Sequence, residues 1–137
     1  MLNYEDVYHF PSAQNYSVLY QLMCEREPRV NISHASVPIW TDHVKYIESK
    51  PHKLWFVAYA GKIPVGAMYL TKHDEIGTFV LREHLRKGYA TEMTNHMKDI
   101  TKGTLYANVA PKNIESQLYC EKLGFKLKQF VYELKRS

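Results

Sequence analysis

Apolar residues near the N-terminus recur at the spacing of an amphipathic helix, whose turns repeat every 3.6 residues. The segment YSVLYQLMCERE (residues 16–27) places four of them on one face: Val18, Leu19, Leu22 and Met23. Pro28 ends this helix because proline has no amide hydrogen to donate. After a loop, TDHVKYIESK (residues 41–50) predicts a second helix that Thr41 or Asp42 can cap. Its predicted inward-facing residues are Trp40, Val44 and Ile47.

Between residues 54 and 81 the pattern changes to that of β-strands. The runs LWFVAYA (residues 54–60) and IPVGAMYLT (residues 63–71) are rich in β-branched and aromatic side chains, and only Gly-Lys separates them. A short glycine-containing turn between such runs predicts an antiparallel hairpin. A further strand is predicted in EIGTFVL (residues 75–81), after the polar turn KHDE.

From Gly88 onward, the spacing of apolar residues again predicts an amphipathic helix, which Gly103 would stop. Its buried stripe would consist of Ala90, Met93, Met97 and Ile100. The chain then continues with a short strand TLYANV (residues 104–109), a helix NIESQLYCEKL (residues 113–123) and an alternating strand FKLKQFVYEL (residues 125–134) whose lysines face water. This order of elements predicts one mixed sheet covered by helices.

Length and composition bound the class of protein. The 137 residues fit a single domain, residues 1–137, with room for a core that needs no metal or disulfide. The apolar fraction of 45% and the charged fraction of 23% are typical of soluble globular proteins. The apolar runs are far shorter than the roughly 20 residues of a membrane-spanning helix, and the N-terminus MLNYEDVYHF lacks the cations of a signal peptide. We therefore expect a cytoplasmic protein with no membrane partner.

Net charge and cysteine content limit the classes of partner and of metal or disulfide site that the chain can have. The formal net charge of +4 favours an anionic partner, which leaves nucleic acid, a phosphorylated cofactor and an acidic surface open. The cations are scattered and no recognised nucleic-acid motif occurs, so no nucleic acid is expected. The two cysteines, Cys24 and Cys120, form no C-x-x-C pair or His/Cys cluster, so neither a disulfide framework nor a metal site is indicated.

The stretch HLRKGYATEM (residues 84–93) places one glycine after two cations at a predicted helix start. A helix start leaves backbone N–H groups unpaired and carries partial positive charge, so it binds phosphate, and a glycine lets an anion approach the backbone. Arg82, Arg86 and Lys87 would add charge at the rim. Neither a G-x-x-x-x-G-K-[ST] loop nor a G-x-G-x-x-G fingerprint is present. Taken alone, a solvated turn with surface cations explains this stretch at least as well.

A second segment changes this interpretation. NVAPKNIESQLYCEKLGF (residues 108–125) follows a strand with an asparagine-started helix that ends in Lys-Leu-Gly-Phe. Together, the two segments resemble the GNAT superfamily of acetyl-CoA-dependent N-acetyltransferases. In that family a strand leads into Arg or Gln, two residues, Gly, one residue, then Gly or Ala. Residues 85–90 match this pattern except that Leu85 takes the place of Arg or Gln.

The second family pattern is N-x-x-[AS]-x-x-x-[YF]-x-K-x-G-F. Residues 113–125 match it except at Cys120, which takes the place of Tyr or Phe. The resemblance covers about residues 54–134. In addition, SVPIWTDHVKYIES (residues 36–49) is similar to a helix in the branch with ribosomal-protein N-terminal and amino-sugar acetyltransferases.

The resemblance implies a single GNAT-like domain of the α/β (α+β) class, with a mixed, mostly antiparallel sheet of about six strands and about four helices. Residues 54–134 would form the acetyl-CoA-binding core and residues 1–53 the acceptor side. Acetyl-CoA would be the co-substrate, and no metal is implied. The implied acetyl-CoA-binding residues are Phe79, Val80, Leu81, Arg86, Lys87, Gly88, Tyr89, Ala90, Thr91, Asn113 and Ser116.

The implied reaction is direct attack of a neutral amine on the thioester carbonyl. It needs a base for the amine, donors for the carbonyl oxygen and an acid for the departing thiolate. Glu75 is the candidate base, directly or through a water molecule, and His34 in the acceptor-side loop is a second candidate. Two residues are candidates for the acid. Cys120 lies at the position of the family's Tyr, and Tyr119 precedes it by one residue, which is a rotation of about 100° around the helix. Backbone N–H groups of residues 79–81 would serve as oxyanion donors.

We expect transfer of an acetyl group to a primary amine of a small molecule, with an amino sugar or sugar nucleotide preferred. A protein N-terminus or lysine is the alternative acceptor. A non-catalytic acyl-CoA-binding module is the alternative function. The oligomeric state stays open, with a homodimer among the options.

Overall fold

A computed structural model describes residues 1–26 and 38–136 of the chain. The strands are β1 Asn3–Asp6, β2 Leu54–Ala60, β3 Ile63–Leu70, β4 Glu75–Val80 and β5 Tyr106–Ala107. The helices are α1 Ala13–Glu25, α2 Trp40–Glu48, α3 Tyr89–Ile100 and α4 Ile114–Lys122. The strands form one sheet in the order β1-β2-β3-β4-β5, antiparallel from β1 to β4 and parallel between β4 and β5. The predicted fold class is confirmed.

The sheet has an apolar core on each face. On one face, α1 and α2 contribute Val18, Leu19, Leu22 and Ile47, which pack with Trp55, Val57 and Ala67 of the sheet. On the other face, α3 buries Met93 and Met97 completely against Ala58, Val65, Met68 and Leu70. The predicted stripe of α3 therefore covers the sheet, whereas Ile100, the last residue of this helix, is 45% exposed.

The β2–β3 hairpin forms as predicted, with Gly61 in the left-handed region at φ +64°. Gly66 lies within β3 and pairs with Val80 of β4. A Cβ atom at this glycine would lie 2.2 Å from the carbonyl oxygen of Phe79. The missing side chain therefore lets the end of β4 approach β3 closely.

The start of α2 differs from the prediction. The helix begins at Trp40, its N-cap is Ile39, and no side chain of the described residues caps it, so capping by Thr41 or Asp42 is wrong. Trp40 is 42% exposed rather than inward-facing, and His43 is buried instead. The Tyr20 hydroxyl donates to the carbonyl of Pro38, and this tertiary contact fixes the chain just before the helix begins.

The sheet has five strands among the described residues rather than about six. β1 joins the sheet although the sequence pattern did not single it out, and β5 is two residues long. The strand predicted at residues 125–134 is not formed: residues 125–136 pair with no strand. The alternating pattern identifies a segment that can form a strand, but a strand also needs a neighbouring edge to pair with. Among the helices of the described ranges, none has the length and apolar content to span a bilayer.

Candidate functional site

The glycine turn lies between β4 and α3. After β4, Leu81 is buried, a short 3-10 turn spans Arg82–His84, and residues 85–88 are exposed. Gly88 is the N-cap of α3 with φ +81°, and Arg86 also adopts a left-handed conformation at φ +65°. This conformation disfavours side chains with a Cβ atom, which explains the glycine at the start of the helix.

Backbone donors at the start of α3 have no capping side chain among the described residues. By contrast, Ser12 and Asn113 cap α1 and α4 through their side-chain oxygens. The N–H of Glu92 donates to the carbonyl of Gly88, which leaves the N–H groups of residues 89–91 without a backbone acceptor of the same helix. No heavy atom lies within 4 Å of the position of a Cβ atom at Gly88. The turn therefore offers open space lined by N–H donors, which fits a phosphate group.

The cations around the turn have different partners. Arg86 and Lys87 are exposed at its rim. Arg82 also contacts α1: its backbone N–H donates to Oε1 of Glu25 at 2.7 Å, and its guanidinium donates to the carbonyl of Glu25 at 3.0 Å. Through these two hydrogen bonds, Arg82 links the end of α1 to the residues that follow β4.

An opening separates β4 from β5. The two strands pair only between Glu75 and Tyr106 and between Ile76 and Ala107, so β4 continues beyond the last pair without a partner on this side. The Leu81 N–H donates to the carbonyl of Val65 at 2.8 Å and so points towards β3. Because backbone groups alternate in direction along a strand, the N–H of Val80 faces the opening, and those of residues 79 and 81 do not.

The carboxylate of Glu75 bridges two segments at the start of β4. One oxygen accepts from the Thr71 hydroxyl at 3.1 Å, and the other accepts from the Asn108 side chain at 2.6 Å. Glu75 therefore holds the β3–β4 turn to the residue that follows β5. A carboxylate has about four lone-pair positions, so two remain for an amine or a water molecule.

The residues of α4 contact the start of α3. The Asn113 side chain caps α4 by accepting from the N–H of Ser116 at 3.1 Å. The Tyr119 hydroxyl lies 3.1 Å from Oγ1 of Thr91, in the first turn of α3. Cys120 is half-buried, and burial raises the pKa of its thiol, so the thiol stays protonated near pH 7. Tyr119 and Cys120 thus lie on one helix, but the tyrosine hydroxyl is the group held at the α3 start.

An aromatic cluster that the sequence analysis did not identify lines the α1/α2 face of the sheet. We define the cluster as Tyr8, Tyr46, His52, Trp55, Tyr69 and Phe79. His52 stacks on Tyr69 with ring centroids 4.1 Å apart, and burial lowers the pKa of His52 to about 4, so its ring is neutral near pH 7. A Cβ atom at Gly77 would lie 2.4 Å from the Tyr69 ring, which therefore lies directly over this glycine.

Two charges border the aromatic cluster. The guanidinium of Arg26 lies 4.7 Å from the centroid of the Phe79 ring, and burial lowers the pKa of Arg26. Burial raises the pKa of Tyr69; the charge of Arg26 opposes this rise and the charge of Glu75 adds to it. The rings share a face because Trp55 pairs with Tyr69, and Tyr69 pairs with Gly77. This register belongs to the folded sheet, so the sequence held no direct signal for the cluster.

One predicted residue, His34, lies outside the described residues. Across residues 1–26 and 38–136, no three or more His, Cys, Asp or Glu side chains form a group that could hold a metal ion.

Comparisons with known proteins bear on the fold and the family of this chain. No curated protein sequence matches the chain. Among solved structures, an acetyltransferase from Thermus thermophilus is 18% identical with a TM-score of 0.71, covering 92% of this chain and 87% of that one. A possible acetyltransferase from Clostridium difficile 630 is 15% identical with a TM-score of 0.72, covering 100% and 99%. The aminoglycoside acetyltransferase AAC(6')-Iy, in complex with the bisubstrate analog CoA-S-monomethyl-acetylneamine, is 17% identical with a TM-score of 0.69, covering 100% and 99%.

These structures share the fold of this chain, but at 15–18% identity they do not show which acceptor this chain uses. The family assignment comes from the sequence, because the model of the acetyltransferase (GNAT) family matches residues 16–125. This range includes the glycine turn, the β4–β5 opening and all of α4. The chain therefore belongs to the acetyltransferase (GNAT) family of acetyl-CoA-dependent N-acetyltransferases.

Proposed function

We propose that this protein transfers an acetyl group from acetyl-CoA to a primary amine of a small molecule, with an amino sugar or sugar nucleotide as the preferred acceptor. The observation that carries the proposal is the uncapped start of α3 at Gly88, next to the open edge of β4. An anion site beside a free strand edge suits a long phosphorylated thioester. The family assignment supplies the reaction class.

The residues around Gly88 fit the pyrophosphate of acetyl-CoA. Backbone N–H groups of residues 88–91 would hold phosphate oxygens, and Arg86 and Lys87 would add charge at the rim. Leu85 is 51% exposed and offers no polar group there, so the backbone carries most of the binding. The Asn113 side chain uses its oxygen to cap α4, which leaves its amide N–H groups as donors, and Ser116 lies beside it. When bound, acetyl-CoA supplies the acetyl group as a thioester.

In the proposed reaction, the amine nitrogen forms a bond to the carbonyl carbon and the carbon–sulfur bond breaks. The Val80 N–H faces the β4–β5 opening and would donate to the carbonyl oxygen as negative charge develops on it. Glu75 lies at the opposite end of β4, roughly 16 Å from Val80 along the strand, so it would take the proton that the amine loses through intervening water molecules. The thiolate that leaves needs a proton, and we assign its donor to Tyr119, whose hydroxyl would leave Thr91 at the α3 start to reach the sulfur.

The aromatic cluster supports a small, ring-shaped acceptor. Tyr69 and Phe79 lie on the same sheet face as Glu75, because alternate residues of a strand share a face. His52 and Gly77 cover the two faces of the Tyr69 ring, so the cluster would form a rigid apolar wall of the acceptor site, and Arg26 and Glu75 at its margin would provide the polar groups that bind a sugar. The fold is shared with aminoglycoside acetyltransferases, which agrees with such an acceptor.

The reaction is tested by mixing the full chain with acetyl-CoA and a panel of amines, and by following the release of free thiol. The panel contains an amino sugar, a sugar nucleotide with a free amine, a peptide with a free N-terminus and a peptide with only a lysine amine. We expect amino sugars to raise thiol release most strongly over the rate without amine. Release with peptides alone would contradict the acceptor class. Tight binding of CoA in calorimetry without release for any amine would contradict catalysis and favour a binding module.

The proton donor is tested by two neighbouring substitutions on α4. Tyr119→Phe is expected to lower kcat about tenfold or more, because general acid catalysis by one side chain contributes roughly 10²–10⁴-fold and a water molecule can replace part of it. Cys120→Ala is the matched control and should change kcat less than about twofold, since the helix places this side chain about 100° away from that of Tyr119. Equal losses in the two variants, or a loss in Cys120→Ala alone, would contradict the assignment to Tyr119.

A further inference from the structure

Arg26 follows α1 and carries a charge that the described residues leave unpaired. Its guanidinium lies 4.7 Å from the centroid of the Phe79 ring. Among residues 1–26 and 38–136, no ion pair includes Arg26, and its side chain forms no hydrogen bond. An aromatic face attracts the charge of a guanidinium but leaves most of its five N–H donors unused. This side chain therefore has both charge and donors to offer a ligand.

The unpaired charge of Arg26 is partly buried. Burial lowers its pKa, because the charged guanidinium is less well solvated beside the protein than in water. Arginine nevertheless stays charged near pH 7. Buried charges in proteins are normally paired, since the free energy lost on leaving water is large. An anionic ligand would complete the pair that the described residues do not supply.

The end of α1 is fixed beside the end of β4. Glu25, the residue before Arg26, accepts two hydrogen bonds from Arg82, one at its carboxylate and one at its carbonyl. These bonds anchor the backbone next to Arg26 but do not use the Arg26 guanidinium. The position of this side chain is therefore set before a ligand arrives, which lowers the entropy cost of binding.

We infer that Arg26 binds an anionic group of the acceptor, a phosphate or a carboxylate, and so selects amines that carry a negative charge. This inference rests on the proposed transfer to an amine of a small molecule. Phe79 precedes Val80, whose N–H faces the β4–β5 opening, so one small molecule can reach both Arg26 and the reacting carbonyl. The planar fork of arginine matches phosphate and carboxylate groups through two parallel hydrogen bonds.

The charges that border the aromatic cluster agree with such an acceptor. The electrostatic effects of Arg26 and Glu75 both reach the Tyr69 hydroxyl, and they have opposite signs. An amine that also carries an anion presents the reverse of these two charges before it loses its proton, which makes it complementary to the site. An amine without an anion would leave the Arg26 charge unpaired and would be repelled by it.

The inference is tested first by binding, which does not depend on turnover. Calorimetry on the full chain, saturated with CoA, compares glucosamine, glucosamine 6-phosphate and muramic acid, which carry no anion, a phosphate and a carboxylate. At least one of the two anionic amines should bind about 30-fold or more tightly than glucosamine, because bidentate pairs with arginine are among the strong hydrogen-bonded contacts. The tighter of the two identifies the anion. Equal affinity for the three amines, or no binding of any, would overturn the inference.

The variant Arg26→Met removes the charge and keeps an unbranched side chain that can pack on the Phe79 ring. It should weaken binding of the anionic amine about 30-fold or more and leave the affinity for glucosamine within about threefold. The matched control Lys62→Met removes an exposed cation from the β2–β3 turn and should change neither affinity. Equal losses for all three amines in Arg26→Met would show that Arg26 only packs on Phe79, and would overturn the inference.

Thiol release separates a failure of this inference from a failure of the proposed reaction. Anion-selective binding that Arg26→Met abolishes, without thiol release from any amine, would support the Arg26 site and contradict the transfer reaction. Thiol release with equal kcat/KM for glucosamine and for both anionic amines would overturn the Arg26 site and leave the transfer reaction in place.

Discussion

Replacing Gly88 by valine is expected to raise the dissociation constant of acetyl-CoA about 10- to 100-fold. The valine side chain would occupy the open space above the start of α3, where a phosphate group would contact backbone N–H donors. Each hydrogen bond to a charged group is worth about 1.5–3 kcal/mol, and about 1.4 kcal/mol corresponds to a tenfold change in affinity. Isothermal titration calorimetry with CoA and with acetyl-CoA measures the effect.

A second glycine provides the control for this substitution. Gly103 follows α3, has φ +87° and, like Gly88, has no heavy atom within 4 Å of a Cβ position. Gly103→Val therefore introduces similar backbone strain without a side chain at the proposed phosphate site. Both variants should lose stability in thermal unfolding, but only Gly88→Val should lose CoA affinity. Unchanged CoA affinity in Gly88→Val would remove the phosphate assignment.

Replacing Glu75 by glutamine is expected to lower kcat about 100-fold or more, which is the contribution of a well-positioned general base. The amide keeps the size of the carboxylate but cannot accept a proton near neutral pH. The same loss should appear in kcat/KM, because an interaction made only in the transition state lowers kcat and kcat/KM equally. Initial rates from acid to alkaline pH, with the preferred amine at saturation and below it, measure both effects.

Glu75 also joins two segments, so its structural role needs a separate test. Asn108→Ala removes the donor that lies 2.6 Å from the Glu75 carboxylate but leaves the carboxylate in place. We expect this variant to keep kcat within about fivefold of the wild-type value, because the Thr71 hydroxyl still holds the other oxygen. Equal losses in Glu75→Gln and Asn108→Ala would show that Glu75 serves to position β5 and is not the base.

The catalytic assignments depend on the sequence and the structure to different degrees. The glycine turn and the asparagine-started helix were identified from the sequence, because each depends on a local backbone conformation that particular residues favour. The sequence could not identify which backbone N–H groups are free. Leu81 is excluded as a donor by its bond to Val65, a residue of the neighbouring strand. For the same reason, the sequence could not show that Arg82 bonds to Glu25, a residue of α1.

The sequence by itself determined the elements whose signals are local. The period of three to four residues predicted α1 and α3, and the two strand patterns around Gly61 predicted the hairpin, since periodicity fixes which face of an element is apolar. Tertiary structure decided which edges meet. Trp40 lies outward because the chain enters α2 from a contact with Tyr20, and residues 125–134 pair with no strand despite their strand pattern. A strand pattern describes one side of a hydrogen-bonded pair, and only the folded molecule supplies the other side.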